Sequence, residues 1–336
     1  MPDAVIVATA RSPIGRARKG SLAGLRPDDL AATIVAAALA KLPQLDPAEI
    51  DDLLLGCAEP EAEQGLNMAR RVAIQLGYDA LPGTTVNRFC ASSLQTTRMA
   101  FHAIRAGEGD VFISAGVESV SRYPTFAGAG QGSDEYLNPA FDQAQARTQE
   151  YARTNATWHD PRQDGLVPDV YISMGQTAEN VATLRQVSRE AQDEFAVLSQ
   201  SRYQKALADG FWEREITPVM LPDGRLLSRD DSPRAGVTRE GVGALAPVFR
   251  PDGTVTAGNC CPLNDGAAAV VVMKSSSVSG KSGVTSSPAD RIRSQVRSTL
   301  VMCRTRPRSE RLEGGSGRSA NCSAHNPAQM RSRVSR

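Results

Sequence analysis

Cys90 is the residue whose type and setting point most directly to chemistry. It follows the strand-like residues 84–89 and precedes the small residues 91–93, where a helical segment begins. A thiol at the start of a helix lies near free backbone N–H groups and the positive end of the helix dipole, which favour the thiolate. This placement allows a nucleophile. By itself, however, it favours the structural alternative of a cysteine packed in a strand–helix junction, since free cysteine is among the most buried residue types.

The other cysteines and histidines do not predict a second chemical centre. The six cysteines include no C-x-x-C pair and the three histidines lie far from them in sequence, so we expect neither a metal site nor disulfides. Adjacent Cys260 and Cys261 are expected to be packing residues rather than a redox couple, because a vicinal disulfide strains the backbone. His102 lies roughly 18 Å beyond Cys90 along the same helix, too far to act as its base. His159 is expected to be a loop residue.

The elements that must position Cys90 alternate between strands and helices over residues 1–120. Strands are predicted at 5–10, 52–57, 84–89 and 110–117, and helices at 28–40, 67–76 and 91–106. Such alternation predicts a parallel or mixed sheet with helices packed on its faces. The apolar run at 267–273 predicts one more strand, buried on both faces.

Composition divides the chain into four parts. Residues 1–120 form the first part of an α/β domain, and residues 251–274 return to it as its closing strand. Residues 121–250, rich in Pro, Gly, Asn and Asp, are predicted to be an inserted subdomain that covers a binding site, with helices at 175–184 and 188–208. Residues 275–336 lack any apolar period and are predicted to be a disordered basic tail.

Charge and hydropathy exclude several classes of partner. Hydrophobic residues make up 41% and charged residues 22%, as in globular proteins. No apolar run reaches the ~18 residues of a membrane span, and the first residues do not resemble a secretory signal, so we expect a cytoplasmic protein without a membrane partner. Residues 275–336 hold twelve basic and three acidic residues but no aromatic side chain. We therefore expect no nucleic-acid partner.

Five stretches, in order along the chain, resemble motifs of the thiolase family. They are 56–58 (Gly-Cys-Ala) with 63–70, 87–95 (Asn-Arg-Phe-Cys-Ala-Ser-Ser-Leu-Gln), 115–121, 174–182, and 252–259 closing on 264–268 (Asn-Asp-Gly-Ala-Ala). The resemblance implies an α/β, thiolase-like layered fold, with a mixed five-stranded sheet, helices on both faces and an inserted covering subdomain. It also implies an acyltransferase that cleaves or forms 3-ketoacyl-CoA through an acyl-cysteine.

The resemblance assigns roles to individual residues. Cys90 is similar to the cysteine that accepts the acyl group, with its own backbone N–H in an oxyanion hole. Met174, Phe249, Ala257 and Cys261 are similar in position to residues that line the pantetheine and acyl pocket. Cys261 stands where many thiolases have a serine near the CoA arm.

The resemblance also implies substrates, partners and direction. Acyl-CoA and CoA are the substrates, no cofactor or metal is implied, and a homodimer or homotetramer is the family expectation. Ser173 stands where biosynthetic acetoacetyl-CoA thiolases often have a histidine. This difference favours a degradative 3-ketoacyl-CoA thiolase of fatty-acid metabolism and β-oxidation.

The sequence departs from the family after about residue 274. Thiolases have a second half that repeats the fold and contains Asn-Glu-Ala-Phe, Gly-His-Pro and Cys-Gly-Gly segments. The histidine of the second segment activates the nucleophile, and the cysteine of the third transfers the proton at the nucleophilic carbon. None of the three occurs in this sequence. We therefore expect a missing second repeat and impaired activity, which a frameshift near Ser275 would explain.

Two alternatives to an active thiolase are considered. One is a catalytically inactive remnant that binds CoA or a thiolase subunit. The other is a ketoacyl-synthase-like enzyme, against which residues 253–268 argue.

Overall fold

A mixed β-sheet lies at the centre of the residues that the computed structural model describes, 2–122, 137–154 and 156–279. In spatial order its strands are β1 (Ala4–Arg11), β8 (Asn264–Lys274), β5 (Val111–Ser119), β3 (Asp52–Gly56) and β4 (Gly83–Val86). Strand β8 pairs antiparallel with β1 and β5, whereas β3 pairs parallel with β5 and β4. The expected mixed five-stranded sheet is confirmed, and a short β2 (Gly15–Arg16) pairs with the start of β8 as a sixth strand.

Helices cover both faces of the sheet. Alternate residues of a strand point to opposite faces, and alternate residues of β3 belong to different apolar clusters. Leu53 and Leu55 pack in the larger cluster with α1 (Pro27–Leu39) and α2 (Met68–Gln75), and Leu54 packs in the smaller one with α3 (Ser92–Ala106). The two-sided arrangement predicted from the alternating pattern is therefore confirmed.

The chain between β5 and β8 contains five helices and a small hairpin among its described residues. These elements are α4 (Asp142–Arg153), α5 (Met174–Arg185), α6 (Arg189–Ala208), α7 (Phe211–Glu215), β6 (Val219–Met220), β7 (Leu226–Leu227) and α8 (Arg239–Gly243). The predicted helices at 175–184 and 188–208 are α5 and α6. As expected for an N-cap, the Ser188 hydroxyl accepts the Ala191 N–H at 3.2 Å. The boundaries proposed for the inserted subdomain stay a prediction.

The described structure continues five residues beyond β8. Ser275–Ser279 form α9, and Val278 packs against the larger apolar cluster. The predictions of a disordered tail and a frameshift otherwise fall on residues 280–336, which lie outside the described residues. Among the helices that are described, none is both long enough and apolar enough to cross a bilayer.

Candidate active site

Cys90 lies on a sharp turn between β4 and α3. The residue before it, Phe89, has a φ of 45°, in the left-handed region that residues with a side chain seldom adopt. The Ser92 hydroxyl holds the turn, since it accepts the Arg88 N–H at 2.9 Å and donates to the Phe89 carbonyl oxygen at 2.6 Å. Cys90 is exposed. The alternative of a cysteine packed inside the junction is therefore wrong.

Two paired glycines allow the start of α3 to rest directly on the sheet. Gly56 of β3 lies beside Gly116 of β5 in the parallel register. A Cβ atom on Gly56 would lie 2.6 Å from the Ser93 backbone nitrogen, and one on Gly116 would overlap the Ser93 hydroxyl. Only residues without a side chain leave room for this close approach. The two glycines thus set the height of Cys90 above the sheet.

A cleft of about 380 Å³ opens beside Cys90. Most of its lining residues come from four of the stretches that resemble thiolase motifs. They are Gly56 and Ala58; Phe89, Cys90, Ser92 and Ser93; Gly116 to Glu118; and Asn264 to Ala268. Because β3, β4 and β5 are parallel, their carboxyl ends lie at one edge of the sheet, where ligand sites of α/β proteins form. Stretches that are far apart in sequence therefore meet at one exposed thiol.

Glu118, to which no role was assigned from the sequence, fixes the wall of this cleft. Its carboxylate accepts the backbone N–H groups of Ala58 at 2.7 Å and Glu59 at 3.3 Å. It also accepts the Gln64 side-chain amide at 2.8 Å and the Cys57 thiol at 3.8 Å. Burial, together with this carboxylate, raises the pKa of Cys57 far above its ordinary value. The sequence signal that could have identified Glu118 is a charged residue at the carboxyl end of a buried strand.

Asp265 and Arg11 also line the cleft, and neither was predicted as a site residue. Asp265 is buried, which raises the pKa of its carboxyl group, and it accepts the Ser121 N–H at 3.0 Å. Arg11 pairs with Glu215 at 2.6 Å and with Asp230 at 2.9 Å. Because two carboxylates neutralise its charge, we interpret Arg11 as a structural link rather than a ligand for substrate.

The four residues predicted to line the pantetheine and acyl pocket do not line the Cys90 cleft. Met174 is exposed at the start of α5, and a Cβ atom on the next residue, Gly175, would overlap the ring of Phe249. Ala257 and Cys261 are exposed on the segment that leads into β8. The structure thus brings Met174 and Phe249 close together, at a place separate from the lining of the cleft.

Helix α5 holds the segment that contains Ala257. Buried Glu179 accepts the backbone N–H groups of Thr254 at 2.9 Å and Val255 at 2.8 Å, and the Thr254 hydroxyl at 3.0 Å. The Asn259 amide in turn donates to the Thr254 carbonyl oxygen at 2.9 Å. The stretches 174–182 and 252–259 therefore form a second group, packed on each other.

The acid–base groups at the cleft are carboxylates. Neither His102 nor His159 is among its lining residues, and His159 lies in an exposed loop 3.1 Å from Asp164. The expectations that His102 lies too far away to serve Cys90 and that His159 is a loop residue agree with this placement. Within the described residues, no group of His, Cys, Asp and Glu is arranged to hold a metal ion.

The fold and the site define an α/β enzyme class that presents a cysteine at the start of a helix, where a thiol can form a covalent intermediate. The family model for the thiolase N-terminal domain matches residues 4–276. The chain is 40% identical over 285 residues to the beta-ketoadipyl-CoA thiolase of Acinetobacter baylyi, covering 83% of this chain and 68% of that relative. It is also 40% identical over 286 residues to the 3-ketoacyl-CoA thiolase of Bacillus subtilis, covering 81% and 66%.

A solved structure agrees with these relatives. The crystal structure of the Bacillus anthracis acetyl-CoA acetyltransferase superposes with a TM-score of 0.67 at 31% identity, covering 84% of this chain and 68% of that chain. The chain belongs to the thiolase family, whose members are acyltransferases that act on acyl-CoA and CoA. It spans about two thirds of the length of these relatives. The resemblance drawn from the five stretches is confirmed.

Proposed function

We propose that this chain carries the covalent step of a degradative 3-ketoacyl-CoA thiolase, with Cys90 as the nucleophile. The Cys90 thiolate attacks the keto carbon, the bond between C2 and C3 breaks, and the electron pair remains on the acetyl-CoA that leaves after taking a proton. The thiolate of CoA then attacks the acyl-cysteine and releases the shortened acyl-CoA. The observation that carries this proposal is the exposed thiol at the start of α3, in a cleft formed by four motif stretches.

The segment around α5 is the proposed site of the CoA arm. Met174 and Phe249 lie close together there, and Ala257 and Cys261 follow on the segment that α5 holds. The exposure of Met174, Ala257 and Cys261 suits a surface that binds an extended pantetheine chain. No cofactor or metal takes part in this proposal. We further propose a homodimer or homotetramer in the cytoplasm.

Two classes of substrate fit the proposal. The relative from B. subtilis is named for 3-ketoacyl-CoA, which supports a role in fatty-acid metabolism and β-oxidation. The relative from A. baylyi is named for beta-ketoadipyl-CoA, which favours a 3-ketoacyl chain that ends in a second carboxylate. Ser173 supports the degradative direction, and its hydroxyl accepts the Gln176 N–H at 3.4 Å as the cap of α5.

The experiment that tests the proposal is to trap the acyl-enzyme. The protein is incubated with acetyl-CoA and with acetoacetyl-CoA, digested under acid, and the acylated peptide is located by mass spectrometry. We expect the adduct on Cys90, its loss in Cys90→Ala, and its retention in the matched variant Cys260→Ala. An adduct on another cysteine would contradict the proposed nucleophile. Binding of CoA without any adduct would support the alternative of an inactive remnant.

A further inference from the structure

A second cavity lies away from Cys90, between α4 and α5. Its volume is about 290 Å³, and its lining includes Tyr151 of α4, Val181 of α5, Trp158 of the connecting loop, and Arg250. It shares no lining residue with the Cys90 cleft. We call it the α4–α5 cavity. Its size is at the small end of ligand pockets, which span roughly 300–1,000 Å³.

Arg250 is a buried cation in this cavity, with only 8% of its surface exposed. Its Nε donates to the Gln176 amide oxygen at 2.8 Å, and one terminal nitrogen donates to the Asn180 amide oxygen at 2.5 Å. The guanidinium also lies over the Tyr151 ring, 5.7 Å from its centre. Both hydrogen-bond acceptors are neutral, and among the described residues no carboxylate lies within ion-pair distance of it. Buried arginines normally have an anionic partner.

The other arginines of the cavity already have acceptors. Arg147 donates to the Val167 carbonyl oxygen at 2.5 Å. Arg162 pairs with Asp160 at 2.7 Å. Arg250 is therefore the buried cation of this cavity whose hydrogen-bond acceptors are both neutral, and the carboxylates of Glu179 and Asp252 act on its charge only from beyond ion-pair distance. Arginine stays protonated in proteins. An anion that enters the cavity would find a guanidinium that is already oriented by two amides.

The remaining lining restricts what that anion can be. Trp158, Ile172 and Leu184 give the walls an aromatic and aliphatic character, which suits a hydrocarbon body. Asp164 and Asp169 line the same cavity. Like charges repel, so a phosphate dianion is disfavoured relative to a singly charged carboxylate.

We propose that the α4–α5 cavity binds a small monocarboxylate. Its carboxylate pairs with the Arg250 guanidinium, and its hydrocarbon body lies against Trp158 and Val181. This site is additional to the acyl-transfer site, because it uses neither Cys90 nor any other lining residue of that cleft. The chemistry that defines the ligand is one negative charge at the end of a short apolar chain or ring.

Tryptophan emission reports directly on this site. The chain has two tryptophans, and Trp212 stacks on Tyr203 at 4.7 Å, outside the cavity lining. In a Trp212→Phe background, hexanoate is titrated against the full chain while Trp158 emission is followed. We expect a saturable change with hexanoate and none with hexanol, which has the same body without the charge. Saturation by hexanol at equal concentration would overturn the proposal.

Variants separate the charge from the shape of the site. Arg250→Gln should weaken hexanoate binding about tenfold or more, as expected for loss of a charge-assisted hydrogen bond. The matched variant Arg225→Gln removes an exposed arginine that pairs with Asp223 and should leave binding unchanged. Val181→Phe changes a side chain that is exposed in the cavity wall, so the fold should persist while the space is filled and binding is lost.

Three results would contradict the assignment even if one variant misfolds. Unchanged hexanoate affinity in Val181→Phe would place the ligand elsewhere. Tighter binding of hexyl phosphate than of hexanoate would reject a carboxylate site. Loss of the signal in Cys90→Ala would assign it to the acyl-transfer cleft. Retention of binding in Cys90→Ala is expected, whether or not the proposed thiolase activity is found.

Discussion

At the scale of single residues, exposure and ionisation separate the thiols of this chain. Cys90 is exposed on the turn before α3. Cys57 is buried, and both its burial and Glu118 raise the pKa of its thiol. Cys260 is exposed, but partial burial of its sulfur raises its pKa as well. Since the thiolate is the nucleophile, reactivity should follow this order.

Limited alkylation tests that order. With a small amount of iodoacetamide at about pH 8, Cys90 should be modified first and Cys57 should react only after unfolding. For Cys260, the rate should keep increasing as the pH rises above 8, because a raised pKa leaves most of the thiol protonated there. Peptide mapping by mass spectrometry gives the order. Labelling of Cys260 or Cys261 ahead of Cys90 would contradict the assignment of the reactive thiol.

The strand–turn–helix setting of Cys90 could be predicted from the sequence because it is local. A strand, a turn and the start of a helix all lie within a few residues of it, and each has a sequence signature. Glu118 and Asp265 could not be assigned roles in the same way. Glu118 binds a loop about sixty residues earlier, and Asp265 accepts from Ser121, 144 residues before it. Only the folded sheet brings such partners together.

At the scale of elements, the pairing of Gly56 with Gly116 sets the position of α3. Gly56→Ala would place a methyl group 2.6 Å from the Ser93 backbone nitrogen, so α3 must move away from the sheet. Overpacking of this kind costs about 1–3 kcal/mol. We expect a lower urea midpoint, together with slower alkylation of Cys90.

The matched control for this substitution is Gly24→Ala. A Cβ atom there meets no other atom within 4 Å, and the φ of Gly24 is not positive. The midpoint and the alkylation rate of this variant should match the wild type. An equal loss in both variants would show that the effect of Gly56→Ala is not due to the contact with α3.

The contact of α5 with residues 254–255 depends on one carboxylate. Glu179→Gln replaces an acceptor oxygen with an NH₂ group that faces backbone N–H donors of Thr254 or Val255. Leaving such a buried donor unsatisfied costs about 1–3 kcal/mol. Urea unfolding should show this loss, whereas Glu108→Gln, at an exposed position after α3, should unfold like the wild type. Equal midpoints for both variants would contradict the role given to Glu179.

Elements with an apolar face were predictable, and α4 was not. Helices α1, α3 and α6 follow from apolar spacing or from a capping residue such as Ser188. Helix α4 is polar along its length, and Ala144 is its only buried residue. Without an apolar stripe, sequence periodicity gives no signal for such a helix. The α4–α5 cavity was missed for the same reason.

At the scale of the whole molecule, apolar side chains remain exposed around the proposed nucleophile. Phe89 beside Cys90, and Leu94 and Phe101 on α3, have 66%, 72% and 44% of their surface exposed. Exposed apolar residues that cluster in this way mark a surface that another part of a protein covers. About a third of the length of these relatives lies outside the matched region. We expect that part of a thiolase to cover α3 and the Cys90 turn.

The last prediction concerns the activity of the 336-residue polypeptide by itself. Cys90 can supply the covalent step, but the described residues that line its cleft include no histidine to activate the thiol. The resemblance places that histidine, and the cysteine that handles the proton, in segments that do not occur in this sequence. General acid–base catalysis contributes about 10²–10⁴-fold. CoA-dependent cleavage of acetoacetyl-CoA should therefore be much slower for residues 1–336 than for residues 1–274 joined to the second half of the B. subtilis relative. Both are compared at equal folded concentration, with Cys90→Ala of the joined protein as the blank. Rates within about tenfold, or about 1.4 kcal/mol in barrier, would show that another residue of this chain activates Cys90.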